Sequence, residues 1–126
     1  MTTRRVLIVD DEDDIREVAQ ISLEIVAGWK VLTASSGSAG LKIARADQPD
    51  AILLDVMMPD MDGPTTFQQL KADPEIRHIP VVLLTAKLQA ADRKRFAELG
   101  VAGVLAKPFD PLKLAGQVTE ALHWFT

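Results

Sequence analysis

The sequence contains no cysteine and no tyrosine, and aromatic residues fill only 5% of its 126 positions. Without cysteine there is no disulfide scaffold, no thiolate metal site and no cysteine nucleophile. The redox compartment is left open, although nothing points outside the cell. Basic charge is also short: 14 Lys and Arg face 18 Asp and Glu, for a net charge of −4. A free-standing nucleic-acid binder needs a basic face, so nucleic acid is not an expected partner. Long apolar runs are missing too. None approaches the roughly 20 residues needed to cross a bilayer. The run Val6–Val9 behind the basic Met1–Arg5 start is too short for a signal peptide. A cytoplasmic protein with no membrane partner is expected. Hydrophobic residues at 48% and charged residues at 25% are ordinary globular usage. The length suits one domain over residues 1–126, able to bury about two-thirds of its unfolded surface without a staple.

Five short apolar runs recur: Val6–Val9, Val31–Ala34, Ala51–Leu54, Val81–Leu84 and Val101–Ala106. Three of them are nearly continuous in Val, Ile and Leu, as parallel strands buried on both faces are. The second and fifth are weaker and read as edges. Helical periodicity lies between them. Ile15, Val18, Ser22 and Ile25 share one face, and Gly28 is placed to end that helix. Further helices are expected over Ser38–Ala46, over Pro64–Ala72 with Gly63 at the cap, and over Gln89–Leu99. A last one opens at Asp110-Pro111 and repeats Leu114, Val118, Ala121 and Phe125 on one side. This order predicts an α/β fold, a doubly wound, three-layer arrangement of five parallel strands and five helices. The flavodoxin-like strand order 2-1-3-4-5 is expected, with the ligand crevice beyond the carboxyl ends of strands one and three.

The residues at those ends carry the chemistry. The first strand runs into Asp10, Asp11, Glu12, Asp13 and Asp14. Helix capping accounts for Asp14, with Glu17 in capping-box spacing, and nearly as well for Asp13. It accounts poorly for Asp10 and Asp11, since neighbouring carboxylates repel unless a cation joins them. The third strand ends in Asp55, which is either a turn former or a nucleophile. Three carboxylates in one crevice suit a hard cation with oxygen ligands, and Mg²⁺ fits, since it keeps waters for a phosphate. The fourth strand ends in Thr85 and the fifth in Lys107-Pro108. Each is unremarkable alone, a strand-end hydroxyl and a surface lysine. Together they face one predicted crevice.

Four stretches now stand in order: Val6–Glu12, Leu53-Leu-Asp-Val-Met-Met-Pro-Asp-Met-Asp-Gly63, Leu84-Thr-Ala86 and Lys107-Pro-Phe109. The sequence resembles the CheY-like receiver domain of two-component response regulators over essentially its whole length. The resemblance implies that Asp55 is the phosphoacceptor. It implies that Asp10 and Asp11 hold Mg²⁺, with Asp11 as the direct ligand, and that the backbone carbonyl of Met57 is a further contact. Thr85 then corresponds to the hydroxyl that moves toward the phosphoryl group. Lys107 corresponds to the lysine that contacts it, and its bond to Pro108 is typically cis. The implied donor is a phosphohistidine on a sensor histidine kinase or phosphotransfer protein. The implied output is a change in protein–protein contacts with an unnamed downstream protein. A phosphate relay, a phosphate sink or a phosphorylation-independent interaction module are the alternatives. The chemistry is self-modification, not turnover of a separate substrate.

Some positions depart from that pattern. The family's switch aromatic, three residues before the lysine, is Val104 here. Unchanged phosphorylation chemistry with altered coupling is expected. Met57 and Lys87 stand where an acid or amide could orient a hydrolytic water, so a long-lived phosphoaspartate is expected. Arg93, Lys94 and Arg95 read as a solvated helix face, and His78 and His123 lie away from the crevice. Trp124 and Phe125 are expected to pack or cap the last helix. A haloacid-dehalogenase-like phosphatase needs an acid at Met57, and an FMN site would be repelled by the acids at 10–14. No DNA-binding module follows within the 126 residues, so direct transcriptional control is not expected. None of these motifs specifies the kinase, the downstream target or the oligomeric state.

Overall fold

A computed structural model describes residues 3–86 and 90–124. Among them the strands are β1 (Arg5–Val9), β2 (Lys30–Ala34), β3 (Ala51–Asp55), β4 (Val81–Thr85) and β5 (Gly103–Ala106). The helices are α1 (Asp13–Ser22), α2 (Gly37–Asp47), α3 (Gly63–Ala72), α4 (Ala90–Glu98) and α5 (Leu114–Leu122). The sheet is wholly parallel, in the order β2-β1-β3-β4-β5. The two weaker apolar runs are the edges, as expected.

Alternation along the three central strands divides the core in two. Leu7, Val9, Ile52, Leu54, Val81 and Leu83 face one layer, where Leu41, Phe67, Leu70 and Phe96 pack from α2, α3 and α4. Val6, Ile8, Leu53, Val82 and Leu84 face the other, against Ala19, Leu114, Ala115 and Val118 of α1 and α5. Continuous Val/Ile/Leu runs are therefore required, because both faces of these strands meet a helix layer.

The helix ends differ from the sequence reading in informative ways. Glu12, not Asp14, is the N-cap of α1, and its side chain makes no cap bond. Asp13 and Asp14 occupy the first turn, where acids favour the helix dipole. The α1 core face is also displaced. Ala19, Ser22 and Leu23 are buried, whereas Val18 and Ile21 are about half exposed and Ile25 is 77% exposed. The chain continues past Ser22 into a π-helical turn, Leu23–Ala27, before Gly28 closes it with φ +70°. Ile15, Ala19, Ser22 and Leu23 lie on one regular helical face, next to the face that runs through Val18 and Ile25.

Asp62, not Gly63, caps α3, accepting the Thr65 amide on its carboxylate at 2.8 Å. Gly63 serves close approach instead, since a Cβ there would lie 2.5 Å from the Asp55 carbonyl oxygen. The last helix starts at Leu114, behind a turn at 111–113, rather than at Asp110-Pro111. Asp110 still serves the entry, accepting the Leu112 amide on its carboxylate. Trp124 packs edge-on against Trp29 at 5.4 Å, with the Arg4 guanidinium 4.4 Å from its ring centre. Phe125 and Lys87 lie outside the described residues.

Candidate functional site

Parallel strands deliver their carboxyl ends to one edge of the sheet. Val9 pairs with Leu54, Asp55 with Leu84, and Thr85 with Ala106. Asp10, Asp55, Thr85 and Lys107 therefore leave four adjacent strands side by side. Lys107 bridges the row. Its Nζ donates to Asp10 Oδ2 at 2.8 Å and stands 3.2 Å from Asp55 Oδ1, with Glu12 at 4.0 Å. The Lys107–Pro108 peptide is cis, and the Lys107 amide donates to the Thr85 carbonyl at 2.9 Å.

Asp10 is fully buried and heavily bonded. Its amide donates to the Ala34 carbonyl, and its Oδ1 accepts the Glu12 amide at 2.9 Å. Arg16 Nη1 donates to its backbone carbonyl at 2.8 Å. Asp55 is 3% exposed and accepts the Met57 amide at a long 3.4 Å. Asp11 differs from both. Its Oδ1 is buried with no hydrogen-bond partner. A buried carboxylate oxygen without a donor is costly unless something else meets it.

Asp10, Asp11 and Asp55 each bring a carboxylate oxygen within 4.8 Å of the others. Three carboxylates against the one ammonium of Lys107 leave two negative charges, matching a single divalent cation. The all-oxygen donor set suits a hard ion such as Mg²⁺, and the unpartnered Asp11 oxygen is the atom such an ion would satisfy. Burial and the neighbouring Asp10 push Asp55 from 3.8 up to about 6, opposed by Lys107 and the Met57 amide. Burial pulls the Lys107 ammonium down, but Asp10 and Asp55 outweigh it, so its pKa ends above the ordinary lysine value. Near neutral pH both partners are thus charged, and Asp55 is a carboxylate able to attack.

The structure brings Asp10, Asp11, Asp55, Thr85 and Lys107 to one crevice. Thr85 is buried at its base. Met57 follows Asp55 on an exposed loop, and Val104 packs half-buried against the α2–α4 layer. Lys94 and Arg95 are exposed on α4, and neither His78 nor His123 joins the acidic cluster among the described residues. Sequence reasoning missed Arg16, whose guanidinium also pairs with the Asp13 carboxylate.

A family model for the response regulator receiver domain matches residues 6–119. The chain belongs to this family. Among its relatives, the receiver is 46% identical to response regulator PleD of Caulobacter vibrioides over 116 residues, covering 90% of this chain and 25% of that protein. It is 37% identical to the probable transcriptional regulator ycf27 of Guillardia theta over 122 residues, covering 97% of this chain and 46% of that one. It thus spans less than half the length of these two relatives. The chemotaxis response regulator CheY4 of Vibrio cholerae shares its fold with a TM-score of 0.88 at 30% identity, covering 95% of this receiver and 99% of CheY4. Among the described residues, no helix is long and apolar enough to cross a membrane.

Proposed function

We propose that this receiver accepts a phosphoryl group on Asp55 from a phosphohistidine of a sensor kinase or phosphotransfer protein in the cytoplasm, and signals through altered protein contacts. The observation that carries the reading is the Lys107 bridge between Asp10 and Asp55, set beside the unpartnered Asp11 oxygen. Asp10, Asp11, Asp55 and the Met57 backbone carbonyl would hold Mg²⁺. The chemistry it supplies when bound is neutralisation of charge on the phosphoryl oxygens.

The chain's own residues do the rest. An Asp55 carboxylate oxygen forms a bond to phosphorus while the phosphorus–nitrogen bond to the donor histidine breaks, and the imidazole leaves with that electron pair. The product is an acyl phosphate. Asp55 is deeply placed, so the crevice walls fix the line of attack and reduce the orientational cost. Lys107 then exchanges its carboxylate partner for a phosphoryl oxygen. Thr85 supplies a hydroxyl to the same group. Neither contact to phosphate exists before transfer, so both favour the phosphorylated conformation selectively. Val104 offers no ring to swing inward, so coupling to the α4-β5-α5 face is expected to be smaller than with an aromatic there. The protein modifies itself and turns over no separate substrate.

Phosphoramidate carries the same phosphorus–nitrogen bond as the natural donor. The protein would be incubated with phosphoramidate and Mg²⁺, reduced with borohydride and mapped by peptide mass spectrometry. Conversion of Asp55 to homoserine is expected. Modification at Asp10 or Asp11, or none, would overturn the assignment.

A further inference from the structure

Five acidic residues in succession, Asp10 to Asp14, should repel one another and open the turn that leaves β1. Yet this turn carries the acid pair of the site. The Glu12 side chain makes no cap bond to hold it. Arg16 does hold it, at both ends. Its Nη1 donates to the Asp10 carbonyl at 2.8 Å, and its own amide donates to the Glu12 carbonyl at 3.1 Å. Its Nη2 pairs with the Asp13 carboxylate. The side chain is only 18% exposed. An ordinary surface pair at i,i+3 spacing explains the Asp13 contact. It does not explain why the other arm of the guanidinium points inward at a main-chain carbonyl at the end of a central strand.

We infer that Arg16 is a positioning residue for the metal-binding acids. One arm of its fork fixes the Asp10 carbonyl and the other ties down the first turn of α1. Between these anchors the chain has one course, and that course leaves the Asp11 carboxylate beside Asp10 and Asp55. The guanidinium charge also offsets repulsion along the acidic turn. A lysine could supply the charge but not two diverging donors of fixed geometry. The inference rests on Asp10, Asp11 and Asp55 being a Mg²⁺ site.

The test is calorimetric titration of MgCl₂ into metal-free wild type, Arg16→Met and Arg16→Lys. Amide hydrogen exchange at Glu12, whose N–H bonds Asp10 Oδ1, would be followed in the same metal-free samples. Loss of an outer-shell partner typically weakens metal affinity by about tenfold or more, and that is expected for Arg16→Met. Arg16→Lys should be intermediate, and Glu12 exchange should quicken in both. A purely structural role would lower thermal stability and leave Mg²⁺ affinity and Glu12 exchange unchanged, which overturns the inference. If Arg16→Met does not fold, Arg16→Lys decides alone: wild-type affinity in that variant shows that charge suffices and refutes positioning. Absence of Mg²⁺ binding by wild type is a distinct result, and it overturns the metal site and this inference together.

Discussion

Asp55 is held at an energetic cost that can be measured without any phosphodonor. It is 3% exposed and stands beside the fully buried Asp10, and these pressures raise its pKa from 3.8 to about 6 despite Lys107 at 3.2 Å. The folded state therefore binds a proton more tightly than the unfolded chain. The penalty is absent below pH ~4, grows as pH rises between the two values, and is complete above about 6. At 1.36 kcal/mol per unit, a shift of roughly two units corresponds to about 3 kcal/mol against the metal-free fold at pH 8. Asn is neutral, nearly isosteric, and retains an oxygen for Lys107. Asp55→Asn should therefore stabilise the protein by about 1–3 kcal/mol at pH 8, a large share of a typical domain's 5–15 kcal/mol. The assay is urea unfolding in chelator from pH 4 to pH 8, comparing midpoints at constant slope. The gap should shrink toward zero near pH 4. A variant no more stable than wild type at pH 8, or a gap independent of pH, would refute the electrostatic reasoning.

Other consequences follow from the same geometry. Mg²⁺ at about 100 times its dissociation constant should stabilise wild type by ~2.7 kcal/mol, and Asp11→Ala should lose most of that gain in thermal unfolding while keeping metal-free stability. Gly63→Ala places a methyl 2.5 Å from the Asp55 carbonyl oxygen, so it should cost about 1–3 kcal/mol in urea and slow phosphorylation of Asp55. Met57 cannot orient an attacking water. The acyl phosphate should outlast seconds at neutral pH after gel filtration, and Met57→Glu should shorten its half-life.

The sheet was legible because its signal is local and physical. Central strands buried on both faces need unbroken apolar runs, and Val6–Val9, Ala51–Leu54 and Val81–Leu84 are such runs. The crevice followed, because parallel topology alone carries Asp10, Asp55, Thr85 and Lys107 to one edge. Where the reading failed, nonlocal geometry decided. The face assigned to α1 holds Val18 and Ile25, yet Ala19, Ser22 and Leu23 on the neighbouring helical face are the residues buried against the sheet and α5. Gly63 looked like a cap beside Pro64, but the close pass of the Asp55 backbone is what requires it, and Asp62 does the capping. Arg16 carries no local signature, because its partner is a carbonyl six residues back, across a turn whose shape no helical period encodes.

We propose that Asp55 accepts phosphate in a Mg²⁺-dependent way. The most direct test is intact mass after incubation with acetyl phosphate, with Mg²⁺ and with chelator, for wild type and Asp55→Asn. One added phosphoryl group, present only in wild type with Mg²⁺, is the predicted result. An adduct that persists in chelator or in Asp55→Asn would contradict the account, and so would the lack of any adduct on wild type.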